Sequence, residues 1–189
     1  MKINLQFKSS IRFVWVLLLV PLYTEAQCEV LKSELESVKN YMTDVSHAAD
    51  SLQTFAEAAA FATQFNMART NARKVEILIG QALTAASEAV SMASEAQYYS
   101  EVCNIDDVKS FSIDTESLTT DTRDHTEEAY ENAKKANTAK NLGDLHYYMR
   151  KSQAATKEAR KSAEAAAYAA SDAYYSCTHG DGHEMNSNK

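Results

Sequence analysis

The chain has 189 residues, of which 24% are charged and 45% hydrophobic, and a formal net charge of −7. That length supports one domain with a modest core. The acidity disfavours nucleic acid and anionic lipid headgroups, which are bound through basic surfaces.

The first 26 residues read as an export signal. Lys2, Lys8 and Arg12 precede the apolar run from Phe13 to Leu22, and Thr24-Glu25-Ala26 supplies small residues at the cleavage site. The apolar run is about half the roughly 20 residues that span a bilayer, so cleavage after Ala26 is expected rather than anchoring. Gln27 before Cys28 is a poor fit to lipidation of that cysteine, which needs a small residue before it. Cleavage removes three cations and one anion and takes the formal charge from −7 to −9. It also removes Pro21, the single proline. With almost no helix breakers left, long helices are expected.

From Cys28, residues Leu31, Leu35, Val38, Met42, Val45, Ala49, Leu52, Ala56 and Ala59 recur at alternating steps of four and three. This is the seam of a packed helix. Its large residues near Cys28 and small ones near Ala59 suggest helix ends that diverge at the first and converge at the second. The pattern weakens over 64–70, and Val75, Ile79, Ala82, Ala86, Ala89, Ala93, Ala96 and Ser100 then restart it. Alanine favours helix but contributes little apolar area, so its partner helix must approach closely. Helices over about 28–64 and 67–103 form the first expected hairpin, spanning 27–103.

A shift of 77 residues lays Arg73-Lys74 on Arg150-Lys151, and Ala82, Ala86 and Ala89 on Ala159, Ala163 and Ala166. We read this as an internal repeat. Residues 104–121 are rich in Ser, Thr and Asp without an apolar period and are expected to form an acidic polar linker. The second hairpin, 122–178, has helices over about 122–140 and 144–177. Asn141 and Gly143 suit a C-terminal cap between them, and Asp144 the next N-cap. Residues 179–189 read as a disordered tail. The expected fold is all-α, two related antiparallel hairpins in a four-helix bundle or extended coiled coil.

Cys28, Cys103 and Cys177 fall at one pole of such a bundle. In an oxidising compartment a Cys103 to Cys177 disulfide tying the hairpins together is the first expectation. Pairings of Cys28 with either one are the alternatives. Cys177, His179, Asp181 and His183 alternate beyond the last helix, with Asp106 and Asp107 close to Cys103, and thiolate and imidazole suit Zn²⁺ or copper. The weak metal candidates are therefore Cys177, His179 and His183. The spacing matches no paired-cysteine zinc pattern, and glycines 180 and 182 loosen it.

No cofactor is implied. The Cys-x-x-Cys-His run of c-type haem, the Glu-x-x-His pair of di-iron bundles, phosphate-binding glycine loops and calcium loops are all missing. No Ser-His-Asp set stands out, so an enzyme is not expected.

The tyrosine doublets Tyr98-Tyr99, Tyr147-Tyr148 and Tyr174-Tyr175 are the feature that invites a partner. Adjacent helical residues point about 100° apart, so both rings of a pair cannot enter one narrow stripe. Tyrosine is amphipathic and enriched at interaction surfaces. The sequence therefore suggests an exported, periplasmic or extracellular, non-enzymatic module that binds a protein or itself. A metal or small-ligand carrier using the Cys/His pole is the alternative, and an amphipathic lipid-surface protein a second, which the acidity and the alanine-rich faces oppose.

Overall fold

The computed structural model describes the backbone of residues 9–103 and 105–179 and the side chains of 26–103 and 105–179. Its described residues form helices α1 (Ser9–Phe61), α2 (Phe65–Cys103), α3 (Asp106–Thr138) and α4 (Leu142–His179). α1 packs on α2 and α4, and α3 packs on the same two. This is a four-helix bundle with short connections, which resolves the choice between bundle and extended rods. No described helix is long and apolar enough to cross a membrane.

Each helix buries one stripe at the four-three spacing. On α1 the stripe is Leu31, Leu35, Val38, Met42, Val45, Ala49, Leu52, Ala56 and Ala59, the residues that the periodicity picks out. On α2 it runs from Ala68 to Ser100 and includes the alanines from Ala82 to Ala96. On α3 it is Val108, Ser112, Thr115, Thr119, Thr122 and Thr126, followed by Ala129, Ala133 and Ala136. Under the 77-residue offset, each α1 stripe position falls on a buried α3 position. The end of α1 at Phe61 likewise falls on Thr138, and the start of α2 at Phe65 on Leu142.

The expected linker over 104–121 is therefore helical from Asp106. An apolar period is absent there because hydroxyl residues occupy the buried stripe. Thr115, Thr122 and Thr126 each donate at 2.7 Å to the carbonyl four residues earlier, on Phe111, Leu118 and Thr122. Such back-bonding satisfies the hydroxyl locally and lets threonine enter a core. Ile105 has extended backbone at the head of α3, and Asp106 and Asp107 lie in the first turn, where negative charge complements the helix dipole.

Helix ends do not diverge near Cys28, since Cys28 and Cys103 Cα atoms lie 5.7 Å apart. Bulk on α1 is instead matched by small residues elsewhere. Leu31 to Val45 share a core cluster with Ala86, Ala89, Ala93 and Ala96 of α2 and Ala163, Ala166, Ala170 and Ala173 of α4. At the other end α1 and α3 contribute mainly alanines, while Val75, Ile79, Leu145 and Met149 fill the space. Alanine stripes also let α2 and α4 meet across the bundle diagonal.

The α3–α4 turn starts its helix earlier than expected. Asn141 Oδ1 accepts from the Asp144 backbone N–H at 2.9 Å, and Asn141 Nδ2 donates to the Asp144 carboxylate at 2.7 Å. Asn141 is thus the N-cap, in a reciprocal capping arrangement.

Candidate functional site

At the pole where α1 enters the bundle, the disulfide joins Cys28 to Cys103. The expected Cys103 to Cys177 bond is corrected by this pairing. Cys177 is shifted by three residues from the position equivalent to Cys103; under the offset it matches Ser100, one turn inside the end. It is accordingly buried, at 4% exposure, within the core cluster of that half. The disulfide closes the first hairpin on itself and does not tie the two hairpins together.

His179 is the last residue of α4, so the expected tail does not begin there. Its ring stacks on Tyr175 at 4.1 Å between centroids, and its Nδ1 lies 2.7 Å from the Thr178 hydroxyl and 3.1 Å from the Tyr175 carbonyl. Asp181 and His183, with the rest of 180–189, lie outside the described residues. Among the described residues, no group of three or more His, Cys, Asp or Glu side chains converges as a metal site. Asp106 is exposed and pairs with Lys109 at 3.8 Å.

Helical geometry splits two of the tyrosine doublets. Tyr98 is 65% exposed, whereas Tyr99 packs against the core at the disulfide end. Tyr147 is 54% exposed, whereas Tyr148 packs against the core at the opposite end. In both pairs the outer ring meets the inner one edge-on, with centroids 5.4 and 5.2 Å apart. Tyr174 and Tyr175 are both exposed. The structure therefore places Tyr98, Tyr174 and Tyr175 at the disulfide end and Tyr147 at the other, separated by the length of the bundle. Tyr168, a single tyrosine that the doublet pattern passes over, is the most exposed of these rings at 74%.

A groove between α1 and α4 was not anticipated. It encloses about 380 Å³ near the middle of α4, with Ala49, Leu52 and Ala56 of α1 on its apolar side and Arg150, Lys157, Arg160 and Lys161 of α4 around it. Arg160 bridges to Asp50 across the groove and to Glu164 at 3.0 Å. Lys161 pairs with Glu158 at 2.8 Å; that hydrogen bond holds the Glu158 carboxyl below the usual carboxylate range. The legible signal was the run of five cations, Arg150, Lys151, Lys157, Arg160 and Lys161, within twelve residues of an acidic chain. Only the packing of α1 beside it supplies the apolar wall.

No protein family, curated protein or solved structure matches the chain.

Proposed function

We propose that the chain is exported, loses residues 1–26, and works as a non-enzymatic helical module that binds a protein partner or itself. The observation that carries this reading is the exposure of Tyr98, Tyr174 and Tyr175 at one end of a rigid, disulfide-closed bundle. Rings held outside a core present large contact area with little rotamer entropy to lose. The disulfide is compatible with an oxidising compartment and so supports export. The partner, on this reading, meets a rigid helical end whose backbone is already ordered, so binding orders little more than side chains.

Two measurements test it. Intact-mass spectrometry of the protein from its own source is expected to give a chain beginning at Gln27 with one internal disulfide. Light scattering and affinity capture are expected to show a homo-oligomer or a discrete complex, weakened about tenfold or more by Y98S/Y174S/Y175S. The thermal midpoint of that variant should stay within a few degrees. A monomer that captures nothing, or a complex indifferent to the three substitutions, overturns the protein-binding reading.

A further inference from the structure

The turns and most buried positions of the two hairpins correspond at an offset of 77 residues, so each groove between helices has a counterpart. The groove between α1 and α4 corresponds to the depression between α2 and α3. In that depression the Tyr130 ring lies over Gly80, where an added Cβ would meet a ring carbon at 3.4 Å. The matching positions on α1 and α4 are Gln53 and Lys157. Leu83 and Thr84 beside Gly80 likewise correspond to Arg160 and Lys161. In one groove, an aromatic ring stands over a glycine in a shallow, open depression. An amide and a cation stand in the same places on the other, which is left with an apolar wall and a basic edge.

The charges along that edge are unequally neutralised. Arg160 is taken by Asp50 and Glu164, and Lys161 by Glu158. Gln153 donates to Glu57 at 3.4 Å. Arg150 lies over the Phe61 ring at 6.0 Å. Neither Arg150 nor Lys157 forms an ion pair with another described residue. Arg150 and Lys157 thus line the groove with Ala49, Leu52 and Ala56 without an ion pair within 4 Å, Lys157 feeling the neighbouring Glu158 carboxylate only at longer range. At one end the Arg160–Asp50 bridge, together with the Ser46 hydroxyl donating to Glu164 at 3.3 Å, crosses between α1 and α4 and bounds the groove. About 380 Å³ is the scale of a small-molecule site, and a groove stopped in this way does not continue as a track for a long partner helix.

We propose that the α1–α4 groove binds a small organic anion with an apolar body. Its acid group sits at Lys157 and Arg150, and its body lies on Ala49, Leu52 and Ala56. This site is independent of the exposed tyrosines and of the Cys/His pole.

Isothermal titration of the full protein with decanoate, and with 1-decanol as the neutral molecule of the same body, tests the assignment. Decanoate is expected to bind at least about tenfold more tightly than 1-decanol, and to weaken as salt screens the cations. K157Q/R150Q should remove most of that preference. Q53Y, which places in this groove the residue found in its counterpart, should weaken decanoate about tenfold or more, whereas Y130Q should leave it unchanged. Circular dichroism melting verifies that each variant is folded, and because Lys157 is exposed, K157Q alone provides the test if Q53Y does not fold. No heat with decanoate at millimolar concentration, equal binding of 1-decanol, or binding unchanged in folded K157Q/R150Q overturns the proposal.

Discussion

Ser112 is fully buried on the α3 stripe, and its hydroxyl has no hydrogen-bond partner. Its neighbours Thr115, Thr122 and Thr126 avoid that cost by donating to their own helix. A buried hydroxyl without a partner costs about 1–3 kcal/mol, whereas its removal leaves only a methyl-sized change. Ser112→Ala is therefore expected to raise stability by about 1 kcal/mol, measured as a higher urea midpoint at unchanged slope. Glu34 provides a second residue-level test. Partial burial, and to a smaller extent the nearby Glu95 carboxylate, raise its pKa above the usual glutamate value. The folded state therefore holds this proton more tightly than the unfolded chain, and stability falls as pH rises through the window between the two values. Glu34→Gln is expected to raise the thermal midpoint by about 1–2 °C at pH 7. The difference should disappear below about pH 4, where both states of the parent carboxyl are protonated. A difference that persists undiminished at pH 3.5 would count against this cause.

Among the elements, the first hairpin differs from the second by a covalent clasp. The Cys28–Cys103 bond spans 75 residues of sequence, and the equivalent positions of the second hairpin are Ile105 and Gly180. Closing a loop of that length removes entropy from the unfolded chain worth roughly 4 kcal/mol. C28S/C103S is expected to lose about that much in equilibrium unfolding. Faster amide exchange should appear first near Cys28 and Cys103, where the ends of α1 and α2 are no longer held. A loss confined to well under 1 kcal/mol would show that the pole is held by packing alone. The second hairpin secures its turn by hydrogen bonding instead, with Asn141 and Asp144 capping α4. His146 Nε2 also lies 3.0 Å from the Ala62 carbonyl, linking the two turns at that end.

For the molecule as a whole, the packing is one of size compensation. Leu31, Leu35 and Met42 of α1 are accommodated because alanine lines α2 and α4 beside them, and hydroxyl residues line α3. At the opposite end the bulky residues belong to α2 and α4. By itself the sequence determined the all-α class, the existence of two turns, expected near 65–66 and 141–143 and found two to three residues earlier, the buried faces of α1 and α2, and the splitting of Tyr98 from Tyr99 and Tyr147 from Tyr148. Each of these follows from helical periodicity, from breaker residues, or from the 77-residue offset, all of which are local or one-dimensional signals. Tertiary structure alone decided that 106–121 is helix, because a Ser/Thr stripe counts as core only when alanine- and leucine-bearing neighbours shield it from water. It alone decided which cysteines pair, because a three-residue difference in position places Cys177 one turn inside the bundle and leaves Cys28 beside Cys103. The groove between α1 and α4 likewise required tertiary structure. Its cations and its apolar wall lie on helices some hundred residues apart, and no periodicity within either helix records the other.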